Sequence, residues 1–193
     1  IKAIYNNRRG TSKAILSIAR KNGKTALIAA LVLVHLVGPE AIQNSQIISG
    51  AMSRDQAAIV FKLAVKMIRL NPRLEREVRV VESKKEIHGL FMGTEYRAIA
   101  ADGRTAHGLS PVLAILDEIG QVRGPRSDFI DAITTAQGAH ENPLLIAIST
   151  QAANDSDLFS IWLDDAERSG DPRIVSHVYA APKDAKLDDP TAW

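Results

Sequence analysis

At 193 residues, with 46% hydrophobic and 24% charged residues, the chain is long enough for one domain with a substantial core and too apolar for whole-chain disorder. Its formal net charge of +2 is too small to signal nucleic-acid binding by itself, so any such contact needs a local basic patch. The absence of cysteine excludes disulfides and thiolate metal sites and fits a reducing interior; the longest apolar run, Ala26–Val34, is too short to span a bilayer, and Ile1 opens a mixed polar stretch without a secretory cleavage pattern.

Ile1–Lys13 is basic and turn-rich and reads as a solvated loop before the first core strand, with Arg8 or Arg9 as a possible neighbour of a nucleotide base or of DNA. Ala14–Ala19 is β-type. Lys24–Val37 is a helix, apolar nearly all round and hence expected between a sheet and other elements, and Gly38-Pro39 stops it. Gln46–Gly50 reads as a second strand. Ser53 with Gln56 three residues on forms a capping box for a helix whose inner face is Ala57, Val60, Phe61, Ala64, Val65 and Ile68, and which ends before Pro72. Arg79–Val81, Glu86–Met92 and Tyr96–Ala100 are short and alternating, as in a β-meander or an edge hairpin.

After a Gly/His/Ser/Pro loop over Asp102–Pro111, Val112–Leu116 is a continuous apolar run of the kind buried on both faces of a parallel sheet. Ser127 caps a helix over Asp128–Gln137, Leu144–Ile148 is another buried strand, and Asp155–Arg168 is a helix with Leu158, Ile161, Trp162 and Leu163 inward. Arg173–Ala180 is a last strand, and Pro182–Trp193 reads as a polar linker. Strands alternating with helices predict an α/β sheet covered on both faces.

Three segments carry chemistry. Gly23-Lys24-Thr25 lies between a strand and a helix, where backbone N–H groups and the helix N-terminus face an anion, a lysine reaches terminal phosphates and a hydroxyl takes Mg²⁺. The first glycine of the usual G-x-x-x-x-G-K-[ST] pattern is replaced by Ile18. Asp117-Glu118 directly follows a buried strand; the aspartate is placed to hold the Mg²⁺ water shell. The glutamate, pointing to the other side, is placed to orient and deprotonate a water. Ser149-Thr150-Gln151 ends another buried strand and offers polar groups to a γ-phosphate. All three fall at the carboxyl ends of strands, where open α/β sheets bind ligands. His35 and His107 form no metal-ligand spacing with a carboxylate, so no metal beyond Mg²⁺ is expected, and no G-x-S-x-G elbow occurs.

The stretch ARKNGKT (Ala19–Thr25), with arginine in the loop and no first glycine, resembles the variant phosphate loop of tailed-phage terminase large subunits. AILDE (Ala114–Glu118) is similar to that family's Walker B strand with its catalytic glutamate, and IAISTQA (Ile146–Ala152) to its coupling motif. ADGRTAHGLSP (Ala101–Pro111) and DFIDAITTAQGAHENPL (Asp128–Leu144) also resemble this ATPase region, so the likeness covers nearly the whole chain.

The resemblance implies an ASCE-type P-loop NTPase fold over residues 1–181, with a mostly parallel central sheet flanked by helices and a short β-rich insertion. Residues 182–193 would begin the linker to an absent C-terminal nuclease domain, and a chain opening on Ile1 is expected to lack the upstream adenine-contacting glutamine motif. It implies ATP and Mg²⁺ as cofactors. Arg20, Lys21, Asn22, Gly23, Lys24 and Thr25 would hold the phosphates, Thr25 and Asp117 the Mg²⁺, and Glu118 would activate water. Lys24 would neutralise phosphate charge, Arg20 would act as an arginine finger, and Ser149 and Thr150 would sense and couple hydrolysis to movement. Arg104, Arg123 and Arg126 become candidates for trans fingers or DNA contacts.

The implied function is ATP hydrolysis driving double-stranded viral DNA into a procapsid. The partners would be a homo-oligomeric ring on a portal protein and the terminase small subunit, in the cytoplasm of a bacterial host, without nuclease activity in this segment. The other readings open to the sequence are a different P-loop translocase or helicase, a nucleotide-binding scaffold without turnover, and a small-molecule kinase. Glu118 argues against the scaffold, and no helicase-type motif follows Ser149.

Overall fold

A computed structural model describes residues 1–101 and 108–180, so Arg104, His107 and the linker segment 182–193 lie outside the described residues. In chain order the elements are α1 (Lys2–Tyr5), β1 (Lys13–Ile18), α2 (Lys24–Leu36), β2 (Gln46–Ala51), α3 (Arg54–Arg69), α4 (Pro72–Glu77), β3 (Val78–Val81) and β4 (Glu86–Gly89). They continue as β5 (Glu95–Ala100), β6 (Pro111–Asp117), α5 (Asp128–Gln137), β7 (Leu144–Ser149), α6 (Leu158–Ser169) and β8 (Ile174–Tyr179).

The strands form one eight-stranded sheet in the order β3-β4-β5-β2-β6-β7-β1-β8. From β5 to β8 every pairing is parallel, whereas β3 and β4 form an antiparallel hairpin added at one edge. Strand β7 lies between β1, which leads into the glycine-lysine turn, and β6, which delivers the acids. The predicted α/β sheet is therefore present. The reading of 79–100 as a β-meander holds, since β3, β4 and β5 pair antiparallel in succession. The last of the three, β5, is also an interior strand, pairing antiparallel with β4 on one side and parallel with β2 on the other. Its place is secured by the fully buried Tyr96, whose hydroxyl shares a 2.7 Å hydrogen bond with Ser49 on β2.

Alternation along the strands builds two cores. Leu16, Ile47, Leu113, Ile115, Ile146 and Ile148 face one side and pack with α2 and α3. Ile15, Ile48, Ala114, Leu116, Leu145 and Ala147 face the other and pack with α5 and α6. Helix α2 buries Ile28, Ala29, Leu31, Val32, Leu33 and Leu36 and touches α3, β2 and β6, as its all-round apolar sequence requires.

Helix α3 starts where expected, but the capping box is only half made. The Ser53 hydroxyl accepts from the Gln56 N–H, a cap worth about 1 kcal/mol. The Gln56 side chain turns instead toward Gln121. Helix α4, which the sequence reading did not anticipate, follows at once, with Asn71 capping it and Pro72 at its first position. Among the described residues no helix is long and apolar enough to cross a membrane.

Candidate active site

The phosphate-type turn follows from backbone geometry. Lys21 (φ 65°) and Gly23 (φ 70°) both lie in the left-handed region, and the chain doubles back from β1 into the first turn of α2. Glycine adopts that conformation without the Cβ clash other residues meet, and it leaves the approach to the helix N-terminus open. Asn22 supports the turn from within, its amide reaching the carbonyls of Ala19 and Arg20 at 3.4 Å each.

Arg20, Lys21, Gly23, Lys24 and Thr25 meet Asp117 and Glu118 in one cleft of about 380 Å³, joined by Ala26, Gln56, Ile59 and Gln121. Lys24 is only 7% exposed. Its ammonium donates to the carbonyls of Ile18 and Ala19 at 3.3 and 3.2 Å and lies 3.5 Å from Glu118 Oε1. The lysine is thus held at the mouth of the turn by two backbone oxygens and one carboxylate.

Asp117 closes β6 at 6% exposure, and its Oδ1 is buried without a hydrogen-bond partner. Burial, and then the neighbouring charge of Glu118, push its pKa up to about 6 against the opposing pull of Lys24. An orphaned carboxylate oxygen in the same cleft as a threonine is a donor set that fits a hard divalent cation such as Mg²⁺.

A carboxyl whose folded pKa is raised binds its proton more tightly in the native state. Asp117 therefore withdraws stability as pH rises through the window from about 4 to about 6. Asp117→Asn should be more stable than the metal-free wild type, with a difference that widens across that window and is flat above it. Urea midpoints at pH 4.5 and 7 read this directly.

Glu118 departs from the alternation expected of a strand. The sequence reading sends it to the side opposite Asp117. Instead β6 ends at Asp117, and Glu118 takes a left-handed backbone (φ 56°, ψ 34°) while its N–H donates to the Ile148 carbonyl at 3.0 Å. Both carboxylates consequently line the same cleft. Such a conformation costs a non-glycine residue about 1–3 kcal/mol and recurs where function demands a particular aim.

Ser149 and Thr150 do not line this cleft. Ser149 is fully buried, and its Oγ accepts from the Gly120 N–H at 2.9 Å. It therefore touches the turn that carries Glu118 rather than the cleft itself. A Cβ on Gly120 would lie 2.4 Å from the Thr150 carbonyl oxygen and 2.8 Å from Ser149 Oγ, so only glycine fits there. Of the arginines considered from sequence, Arg20 is exposed at the cleft and Arg126 is exposed on its loop. Arg123 pairs with Asp157 at 3.2 Å.

Asp157 was missed in the sequence because it reads as an ordinary helix-starting acid. It accepts from the N–H groups of Gly124 and Asn154 and from Arg123, which hold its carboxyl below the usual aspartate range. It thereby ties the segment after Glu118 to the start of α6. Gln121 carried no signal at all, and Gln56 was absorbed into the capping pattern.

The sequence and the fold are both similar to those of known proteins. A family model described as "Terminase large subunit, ATPase domain" matches residues 3–167. The terminase large subunit of Enterobacteria phage HK97 is 67% identical over all 193 residues, which span 38% of that relative's length. The crystal structure of the HK97 large terminase superposes with a TM-score of 0.97, covering 100% of this chain and 40% of that one. The large-terminase ATPase domain of Thermus phage P74-26 shares the fold, with a TM-score of 0.73 at 19% identity over 93% of this chain and 80% of that one. With the family model matching residues 3–167 and the fold shared, the chain belongs to the terminase large-subunit ATPase-domain family.

Proposed function

We propose that this domain hydrolyses ATP with Mg²⁺ and uses the energy to drive double-stranded viral DNA into a procapsid. The observation that carries the reading is the convergence of Lys24, Thr25, Asp117 and Glu118 in one cleft at the carboxyl ends of β1 and β6. Lys24 neutralises charge on the β- and γ-phosphates, and the N–H groups at the start of α2 cradle them. Thr25 and Asp117 hold the metal, which when bound offsets the charge developing on the transferred phosphoryl group. Glu118 orients and deprotonates the attacking water. Arg20, exposed at the rim, reaches transition-state charge as an arginine finger in the same subunit. Ser149, with Thr150 next to it, carries the state of the Glu118 turn into β7 through Gly120.

A duplex partner is supported by the charge distribution. Between Arg54 and Lys85 the sequence holds nine basic and four acidic residues, although the whole chain is only +2. Lys62, Lys66 and Arg69 are exposed along α3 at helical spacing, close to Lys85. The rest of the reading follows the family: a homo-oligomeric ring on a portal protein, a terminase small subunit, and a nuclease domain beyond residues 182–193 with no nuclease activity in this segment. The setting is the cytoplasm of an infected or lysogenic bacterium.

The test is nucleotide binding and ATP turnover with Mg²⁺, with and without duplex DNA, for wild type and Lys24→Ala. Removing the buried ammonium is expected to abolish nucleotide binding and with it any turnover. Tight ATP binding by a folded Lys24→Ala protein would sink the phosphate-turn reading.

A further inference from the structure

Gln56 and Gln121 do not belong to the motifs that hold phosphate or metal, yet both line the cleft. Gln56 stands on the first turn of α3, and its Nε2 donates to Gln121 Oε1 at 3.3 Å. Gln121 closes the short turn Ile119–Gln121 that begins at Glu118, and its N–H donates to the Glu118 carbonyl at 3.0 Å. The remaining amide oxygen of Gln56 is buried without a partner. Leaving a buried acceptor unmet costs stability, so this amide is not placed for the benefit of the fold alone. Its bond joins the helix that carries the exposed basic face to the turn that carries the water-activating carboxylate.

We propose that the Gln56–Gln121 amide pair is a clasp between the Glu118 turn and α3. Gln56 is then a positioning residue for hydrolysis, and occupancy of the cleft is passed to α3 along this bond. This route is separate from the one through Ser149, which runs from the Gly120 N–H into β7. The proposal rests on the ATPase reading above. It adds a second output, aimed at the basic face of α3.

The experiment uses the full chain with Gln56→Ala, Gln121→Ala and the double variant. Two readouts are taken: steady-state ATP turnover, and amide-hydrogen exchange over residues 54–62 with and without Mg-ADP. Each single variant is expected to lower kcat about tenfold with KM within about twofold, the size of one coupled contact. The double variant should be no worse than either single one. The slowing of exchange that Mg-ADP produces in α3 of the wild type should vanish in all three, while exchange in α2 still responds.

Additive losses, a rise in KM at constant kcat, or an undiminished α3 response in the variants would each overturn the clasp. The side chain of Gln121 is exposed, so its removal cuts the same bond even if Gln56→Ala folds poorly. A wild type with no Lys24-dependent nucleotide binding breaks the ATPase reading itself. A binding-competent wild type with unaffected glutamine variants breaks only this inference.

Discussion

Glu118→Gln should lower ATP turnover by about 10²–10⁴-fold while leaving nucleotide binding intact, the span expected when a general base is lost. Glutamine keeps the length and shape of the side chain but cannot accept a proton from water. It also releases the Lys24 ammonium from its 3.5 Å ion pair, so phosphate affinity should hold or rise. Single-turnover kinetics alongside equilibrium binding of a fluorescent ATP analogue separate the two effects. Unchanged turnover in a folded Glu118→Gln protein would remove Glu118 from the catalytic role. The contrast with Lys24→Ala, where binding itself goes, assigns the two neighbouring charges to different steps.

Gly120→Ala is expected to combine a loss of stability of about 1–3 kcal/mol with a loss of turnover, although Gly120 itself carries no chemistry. The added methyl would stand 2.4 Å from the Thr150 carbonyl oxygen and 2.8 Å from Ser149 Oγ, and neither belongs to a long flexible side chain that could swing clear. Either the end of β7 or the Glu118 turn must shift. A shift of the turn moves the carboxylate that faces Lys24. Adding Ser149→Ala relieves the hydroxyl contact but not the backbone one, so it should not rescue the variant. Urea denaturation and turnover measured on both proteins check this; full rescue by Ser149→Ala would show that the backbone approach is not the constraint.

Much of the candidate site was legible because its residues are adjacent in the sequence. Gly23-Lys24-Thr25 and Asp117-Glu118 are each written as a few adjacent residues after an apolar run, and buried parallel strands bring such ends together. The aim of Glu118 was not legible. Strand alternation puts consecutive side chains on opposite sides, and only the left-handed turn with its bond to Ile148 puts both acids in one cleft.

Gln56 was misassigned for a related reason. A Ser-x-x-Gln spacing satisfies a local capping rule, and a partner 65 positions away leaves no mark on that window. The second neighbour of β5 was hidden in the same way, since EYRAIA alternates as a meander strand does while its burial is decided by long-range pairing with β2. Helix α4 was a missed signal rather than an absent one. Asn71-Pro72 is a start as well as a stop, and the structure uses it as both.

The position of β1 in the sheet has a consequence for how the domain is made. Lys13 lies opposite Leu145 on one side and Ile174 on the other, so the strand that leads into the glycine-lysine turn is synthesised well before either of its neighbours, which lie near the far end of the described chain. Both its edges stay unpaired on the ribosome until β7 and β8 emerge. Such long-range parallel pairing is slow to form and open to association with other chains meanwhile. Competence to bind nucleotide is therefore a late event in folding, and a nascent or truncated chain lacking β7 has no seated strand from which to build it.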